Sequence, residues 1–457
     1  MNMKVMLSFV LLAATLSFAQ ADISTKADDY LTAVAKSGRL SGSVLIAKDG
    51  KVLLRKGYGE ANYELDVPNT PATIFRIGSI TKIFTALSVL QLDDQKKLSV
   101  SDPAVKYIPE LPESWKSITI HQLLTHTSGI PDYAVSPAYA KIEDPQRVEA
   151  ALKEFGDKPL LNAPGASFRY SNAGYILLGR IIEKVSGMKY EEYVSRNILV
   201  PAGMMHSGYD HYQNLLKNRA HGYIYRGEGL VNSKNQEMEW AHSAGALYST
   251  VDDLYLFDRA LKSGKLFSAS IVAKAFTPYT HFNAPPPFTF DAEYGYGWMI
   301  GKDFDHPYLG HGGWVDGFVS QFTRYPQDDA VIILLTNIES TAPQTIMHDL
   351  AAIVFGAEYH LPPVHQAVHP DRQILERYVG KYHAGPFDIK VWMEDGQLFV
   401  FGTGQRVPFG MIAFSDREFF FHDVDSEMRF EPDADGKVNL CVVHFGGKDI
   451  PMTRVVE

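Results

Sequence analysis

Ile77-Gly78-Ser79-Ile80-Thr81-Lys82 opens an apolar run, Ile83 to Leu92, that reads as a helix. Three residues apart, Ser79 and Lys82 fall one turn apart on a single helical face, so an amine stands beside a hydroxyl. A serine hydroxyl is a poor nucleophile at neutral pH until a base takes its proton. A lysine serves as that base only if burial or neighbouring cations lower its pKa. The pattern is short enough to recur by chance in a chain of 457 residues. Its plain alternative is a helix start in which Ser79 caps and Lys82 is solvated. The other segments must decide between the two.

Composition allows one large domain and a smaller one: 46% of residues are hydrophobic and 21% charged, ordinary for a globular chain. Lys4, the apolar run Val5 to Phe18 and Ala19-Gln20-Ala21 have the charged start, short apolar core and small-residue site of a secretory leader. Cleavage is expected after Ala21, and the protein is expected to be periplasmic or secreted. No cysteine follows the site to accept lipid, and no other apolar run reaches 18 residues, so no stable membrane anchor is expected after cleavage. Loss of Lys4 with no acid turns the net charge of −10 into −11 for the mature chain, which argues against nucleic acid as a partner. Cys441 is the only cysteine, so an exported chain must be held by its core without an internal disulfide.

In chain order, residues 25 to 37 read as an amphipathic helix. Gly42 to Ala47 and Lys51 to Arg55, joined by Asp49-Gly50, then read as a β-hairpin. Leu111 to Ile120 reads as loop. His121 to Gly129 is a short helix and turn whose two histidines, five residues apart, share no helical face and are read as structural. Residues 145 to 156 look helical. Phe168 to Gly174 is a loop entering a helix from Tyr175 to about Val185, which lets Tyr170 and Asn172 point into a cleft. Thr250 caps a further helix. Gly295 to Ile300, Gly317 to Tyr325 and Ala330 to Leu335 are strand-like, with His311-Gly312-Gly313-Trp314 between the first two. An early hairpin and late strands framing helices imply an α+β domain: one antiparallel sheet holding both ends of residues 22 to 356, flanked by helices and a helical lobe.

Pro362, Pro363 and Pro370 break residues 357 to 372, which read as a linker. His360, His365 and His369 lie there, but no carboxylate or thiolate partner is evident, and no metal site is assigned. Residues 373 to 457 alternate short strands with Asp395-Gly396 and Asp435-Gly436 turns, the pattern of a small antiparallel β-barrel or sandwich. Its Phe419, Phe420 and Phe421 are read as core.

Ser79-Ile80-Thr81-Lys82, Tyr170-Ser171-Asn172 and His311-Gly312-Gly313 follow one another at gaps of 91 and 141 residues. In order and spacing they resemble the serine β-lactamase and penicillin-binding-protein superfamily, in particular the class C β-lactamase-related esterases, DD-peptidases and D-aminopeptidases. The downstream region resembles the lipocalin-like domain attached to some members. The resemblance implies Ser79 as acylated nucleophile, with Lys82 and Tyr170 sharing the proton work. It further implies that Asn172 orients Lys82 and meets substrate, and that the backbone N–H groups of Ser79 and Trp314, beside Gly313, form an oxyanion hole. It implies no cofactor and a small-molecule or peptide substrate, and it fixes no oligomeric state.

Position 311 departs from the common Lys-Thr-Gly. A histidine is expected to titrate near neutrality where lysine would stay cationic. Gly312 lacks the hydroxyl that threonine would offer a carboxylate. Both features favour a peptidase or esterase over a β-lactamase, which stays open as an alternative. From another class, a non-catalytic protein holding peptidoglycan fragments or a small ligand is the other alternative.

Overall fold

The computed structural model describes residues 22–132, 158–226, 229–234, 237–283, 291–339, 343–363, 365–403, 408–422, 424, 426–445 and 448–455. The leader expected over 1–21 and the helix expected over 145–156 lie outside these residues. Helix α1 spans 22–36. Strands β1 (Gly42–Lys48) and β2 (Lys51–Tyr58) form the expected hairpin, with Asp49 and Gly50 at φ of 53° and 71°. Helices α2 (Thr81–Asp94), α3 (Ile120–Leu124), α4 (Asn172–Ser186), α5 (His242–Gly245) and α6 (Val251–Ser263) follow. Strands β3 (Thr280–Asn283), β4 (Asp291–Tyr294), β5 (Met299–Asp303), β6 (His306–Val315), β7 (Phe318–Tyr325) and β8 (Ala330–Thr336) then precede helix α7 (Pro343–Phe355).

One antiparallel sheet runs β3-β4-β5-β6-β7-β8-β1-β2, so the early hairpin pairs with the last of these strands, Leu45 opposite Ile333. Both its faces are covered, and the period-2 alternation of strands divides the core accordingly. Leu45, Ile333, Leu335 and Phe322 pack under α2 and α6, whereas Val44, Ile46, Ile332 and Leu334 meet α1 and α7. Removing each such side chain from water contributes roughly 1.5–3 kcal/mol before entropy is counted. Helix α2 has no polar stripe and is buried along nearly its whole length between the sheet and α4. Its buried hydroxyls find carbonyl partners: Thr85 donates to Ser243 O at 2.7 Å and Ser88 to Phe84 O at 2.8 Å.

Two expectations need correction. Gly295 to Ile300 is mostly turn: Gly295 N donates to Trp298 O, and a strand starts only at Met299. Gly297, at φ 79°, passes so close to α2 that a Cβ there would stand 2.8 Å from Lys82 O. Conversely, His311 to Trp314, not assigned to a strand from the sequence, belongs to the last half of the ten-residue strand β6. Three glycines hide it from a pattern reading. Strand β5 pairs with β6 only as far as Gly310, so residues 311–315 carry β7 on one side and line the cleft with the other.

Beyond α7 the described residues through 371 are irregular, and helix Arg372–Glu376 leads into nine antiparallel strands. These are β9 (Gly380–Ala384), β10 (Phe387–Glu394), β11 (Gln397–Gly402), β12 (Phe409–Gly410), β13 (Ile412–Ala413), β14 (Glu418–Phe420), β15 (Ser426–Pro432), β16 (Val438–Phe445) and β17 (Lys448–Arg454). Their order is β12-β11-β10-β9-β17-β16-β15-β14-β13. The two edge strands are separated only by Met411, which gives a nearly closed barrel. Phe419, Phe421 and Phe430 fill its interior. Strand β17 carries Pro451 opposite Val442, which masks it in the sequence. His365, one of the three linker histidines, lies flat on Phe414 with ring centroids 4.0 Å apart and meets Glu427 at 2.8 Å. Tyr225 stacks on His422 at 4.0 Å and so ties the hairpin Tyr223–Asn232 to the barrel.

Candidate active site

Ser79 lies in the tight turn Gly78–Ile80 that runs into α2, and α2 has no side-chain cap. Lys82 is 0% exposed. Its Nζ lies 2.9 Å from Ser79 Oγ, 2.8 Å from Asn172 Oδ1 and 2.8 Å from Ala244 O. A capping serine with a solvated lysine is therefore ruled out. Burial pushes Lys82 down to about 7, and the carboxylate of Asp132 works in the opposite direction. At neutral pH a large share of the amine is uncharged, with two N–H groups and one lone pair. The carbonyl of Ala244 and Oδ1 of Asn172 accept but never donate, so they take the two N–H groups and leave the lone pair for the Ser79 hydroxyl.

Tyr170 stands over the same amine, its ring centroid 4.8 Å from Lys82 Nζ. The tyrosine ring also packs on His126, centroids 4.2 Å apart. His126 is buried, with φ of 57°, and grips the tyrosine segment on both flanks. Its carbonyl accepts from Arg169 N at 2.7 Å, and its Nδ1 accepts from Ser171 N at 3.1 Å. Burial first, then the charge of Lys82, lowers this imidazole well below its ordinary range, so it stays neutral. Ser171 in turn caps α4, its hydroxyl accepting from Gly174 N, which brings Asn172 to the first turn of that helix.

His311 is 3% exposed. Its Nδ1 donates to Gly312 O at 2.5 Å, so Nε2 accepts from the Tyr294 hydroxyl at 3.1 Å. Burial, helped by Lys82, pushes it down to about 3. The expectation that position 311 titrates near neutrality is thus corrected: the ring is neutral throughout the physiological range. The space beside Gly312 is filled by Gln321, whose Nε2 would lie 2.9 Å from a Cβ there. Gly313 packs on the serine turn, where a Cβ would stand 2.0 Å from Ile77 O. Gly78, at φ 49°, leaves room for Trp314 N, 2.7 Å from where its own Cβ would be.

The structure thus gathers Ser79, Lys82, Tyr170, Asn172, His311, Gly313 and Trp314 at the junction of α2, α4 and β6. Two neighbours carry no mark in the sequence: Gln321 belongs to no motif, and Asp132 follows Pro131 in a loop with no pattern to point it out. His126 is the buried, hydrogen-bonded structural histidine expected, placed here against Tyr170. Asp132 accepts from Asn172 Nδ2 at 3.0 Å and from Asn172 N at 3.3 Å.

Residues 27–355 match the family model described as Beta-lactamase. A putative penicillin-binding protein PbpX of Bacillus subtilis is 31% identical over 323 residues, covering 70% of this chain and 75% of that protein. The teichoic acid D-alanine hydrolase of Staphylococcus aureus is 30% identical over 323 residues, 71% of this chain and 76% of its own. Among solved structures, the octameric penicillin-binding protein homologue from Pyrococcus abyssi superposes with a TM-score of 0.66 at 27% identity, covering 94% of this chain and 99% of that one. That superposition therefore includes the barrel.

Proposed function

We propose that this chain, which belongs to the beta-lactamase family of serine hydrolases, is an exported peptidase or esterase that cleaves an amide or ester through an acyl-Ser79 intermediate. The observation that carries the proposal is a fully buried amine, lowered to about 7, whose lone pair faces a hydroxyl 2.9 Å away. Neutral Lys82 takes the Ser79 proton as Oγ bonds to the substrate carbonyl carbon. The oxygen's developing charge is met by the N–H groups of Ser79 and Trp314, each worth about 3–4 kcal/mol by analogy with other oxyanion holes. The proton then passes, with Tyr170 as the adjoining phenol, to the departing nitrogen or oxygen as its bond to carbon breaks. Water attacks the ester of Ser79 along the reverse route and releases the acid.

Neutral His311 and Gly312 put no fixed cation and no hydroxyl where a substrate carboxylate would be held. This favours a substrate without a carboxylate at that end. The name of the staphylococcal relative, a D-alanine hydrolase, suggests D-alanyl esters and amides as the first class to try. D-alanine methyl ester is expected to turn over faster than its L enantiomer, with a rate that rises through about pH 7 as Lys82 loses its proton. Faster turnover of a chromogenic cephalosporin would replace this reading with a β-lactamase. Among the described residues no helix is long and apolar enough to cross a membrane. Cell fractionation is expected to find the processed chain outside the cytoplasm.

A further inference from the structure

We propose that Asp132 is a positioning residue for the Ser79–Lys82 pair: it locks the Asn172 amide with its oxygen towards Lys82 and places a negative charge beside the buried amine. The inference rests on the reading of Ser79 as nucleophile.

An asparagine amide has a donor end and an acceptor end, and which of them faces Lys82 decides where the lysine lone pair goes. The carboxylate of Asp132 accepts from Asn172 Nδ2 at 3.0 Å. A carboxylate cannot donate, so it admits only the NH2 end of the amide and turns Oδ1 to Lys82 at 2.8 Å. With the amide reversed, Nδ2 would compete for the lone pair that otherwise accepts the Ser79 proton. The second bond, from Asn172 N at 3.3 Å, pins the first turn of α4 to the loop ending α3.

The charge acts separately from the orientation. The groups facing Lys82 Nζ are the Tyr170 and Tyr175 rings, at 4.8 and 5.5 Å, the neutral imidazoles of His126 and His311, the Asn172 amide and the Ala244 carbonyl from α5. No carboxylate is among these groups, and Asp132 supplies one. Asp132 raises the lysine against the larger effect of burial, and the balance leaves it near neutrality. Without the carboxylate the ammonium is less favoured, so its pKa falls further and the free amine persists to lower pH.

The test follows labelling of Ser79 by a fluorophosphonate in the full-length mature protein, as a second-order rate from about pH 5 to about pH 9. This readout needs no knowledge of the natural substrate. Wild type is expected to show an acid limb centred near 7. Asp132→Asn still accepts from Asn172 Nδ2, so its plateau should stay within a few-fold of wild type while its acid limb moves down by about one pH unit. Asp132→Ala should show the same shift and also lose roughly 10- to 100-fold of the plateau as the amide turns. Thermal melting of each variant separates these effects from unfolding. A limb in Asp132→Asn that coincides with wild type, or moves up, overturns the proposal, as does a full plateau in Asp132→Ala. Wild-type protein that is not labelled at all overturns the nucleophile reading itself, a result distinct from either.

Discussion

Ser79→Ala is expected to abolish turnover and acylation while the protein stays folded. The Oγ of Ser79 bonds Lys82 and does not cap α2, so its loss removes little that holds the turn together. The Gly78–Ile80 turn is fixed by backbone: Ile77 N donates to Leu247 O at 3.0 Å, and Ser320 Oγ donates to Ile77 O at 2.8 Å. Where a nucleophile acts as one unit with its base, removing either costs on the order of 10⁶ in kcat. Intact-mass spectrometry with a penicillin, followed over time beside the alanine variant, gives the clearest reading. A mass gain that persists in wild type and is missing in the variant identifies the nucleophile and marks slow deacylation. Undiminished turnover by Ser79→Ala would assign the chemistry to another group and end the acyl-serine scheme.

Gly313→Ala should be nearly as damaging, although it adds one methyl group. Its Cβ would stand 2.0 Å from Ile77 O and 2.4 Å from Ser320 Oγ. Ile77 is held by strand-like bonding to Leu247, and Ser320 is itself bonded to Ile77, so neither can withdraw. Strand β6 must instead move off the serine turn, which separates Trp314 N–H from Ser79 N–H. Loss of one oxyanion donor lowers kcat by about 10² to 10³-fold, and the overpacking should cost about 1–3 kcal/mol of stability. Gly312→Ala is the control: its Cβ meets only the end of the Gln321 side chain, at 2.9 Å, which can swing away. Similar kcat values for the two variants would show that the approach of β6 to Ile77 does not set the oxyanion geometry.

Much of this site could be read from local spacing. Ser79 and Lys82 meet because residues one helical turn apart always do, and Tyr170 precedes the helix that presents Asn172. The Asp49-Gly50 hairpin and the capped start at Thr250 were equally legible, since each depends on a few adjacent residues. Strand β6 was not. Gly310 and Gly313 carry no side chain to mark the alternation, and each is needed because another chain segment lies against it, Phe322 O in one case and Ile77 O in the other. In the barrel, the Asp435-Gly436 turn marks the start of β16 at Val438, whereas Pro451 hides β17.

By itself the amino-acid order determined which residue types are available, their local geometry, and the α+β architecture with a β-rich C-terminal barrel. Only the tertiary structure decided their chemical state. Lys82 is depressed to about 7 because α2 is enclosed on every side and the amine is cut off from water, an effect larger than the opposing charge of Asp132. His311 stays neutral because the sheet and Tyr294 bury it beside that same amine. Asp132 matters because it meets Asn172, 40 residues on, at a carboxylate-to-amide distance of 3.0 Å. Local pattern follows from the covalent repeat of the chain, whereas a pKa or an amide orientation is set by whichever groups surround it in space, and those are chosen by the fold.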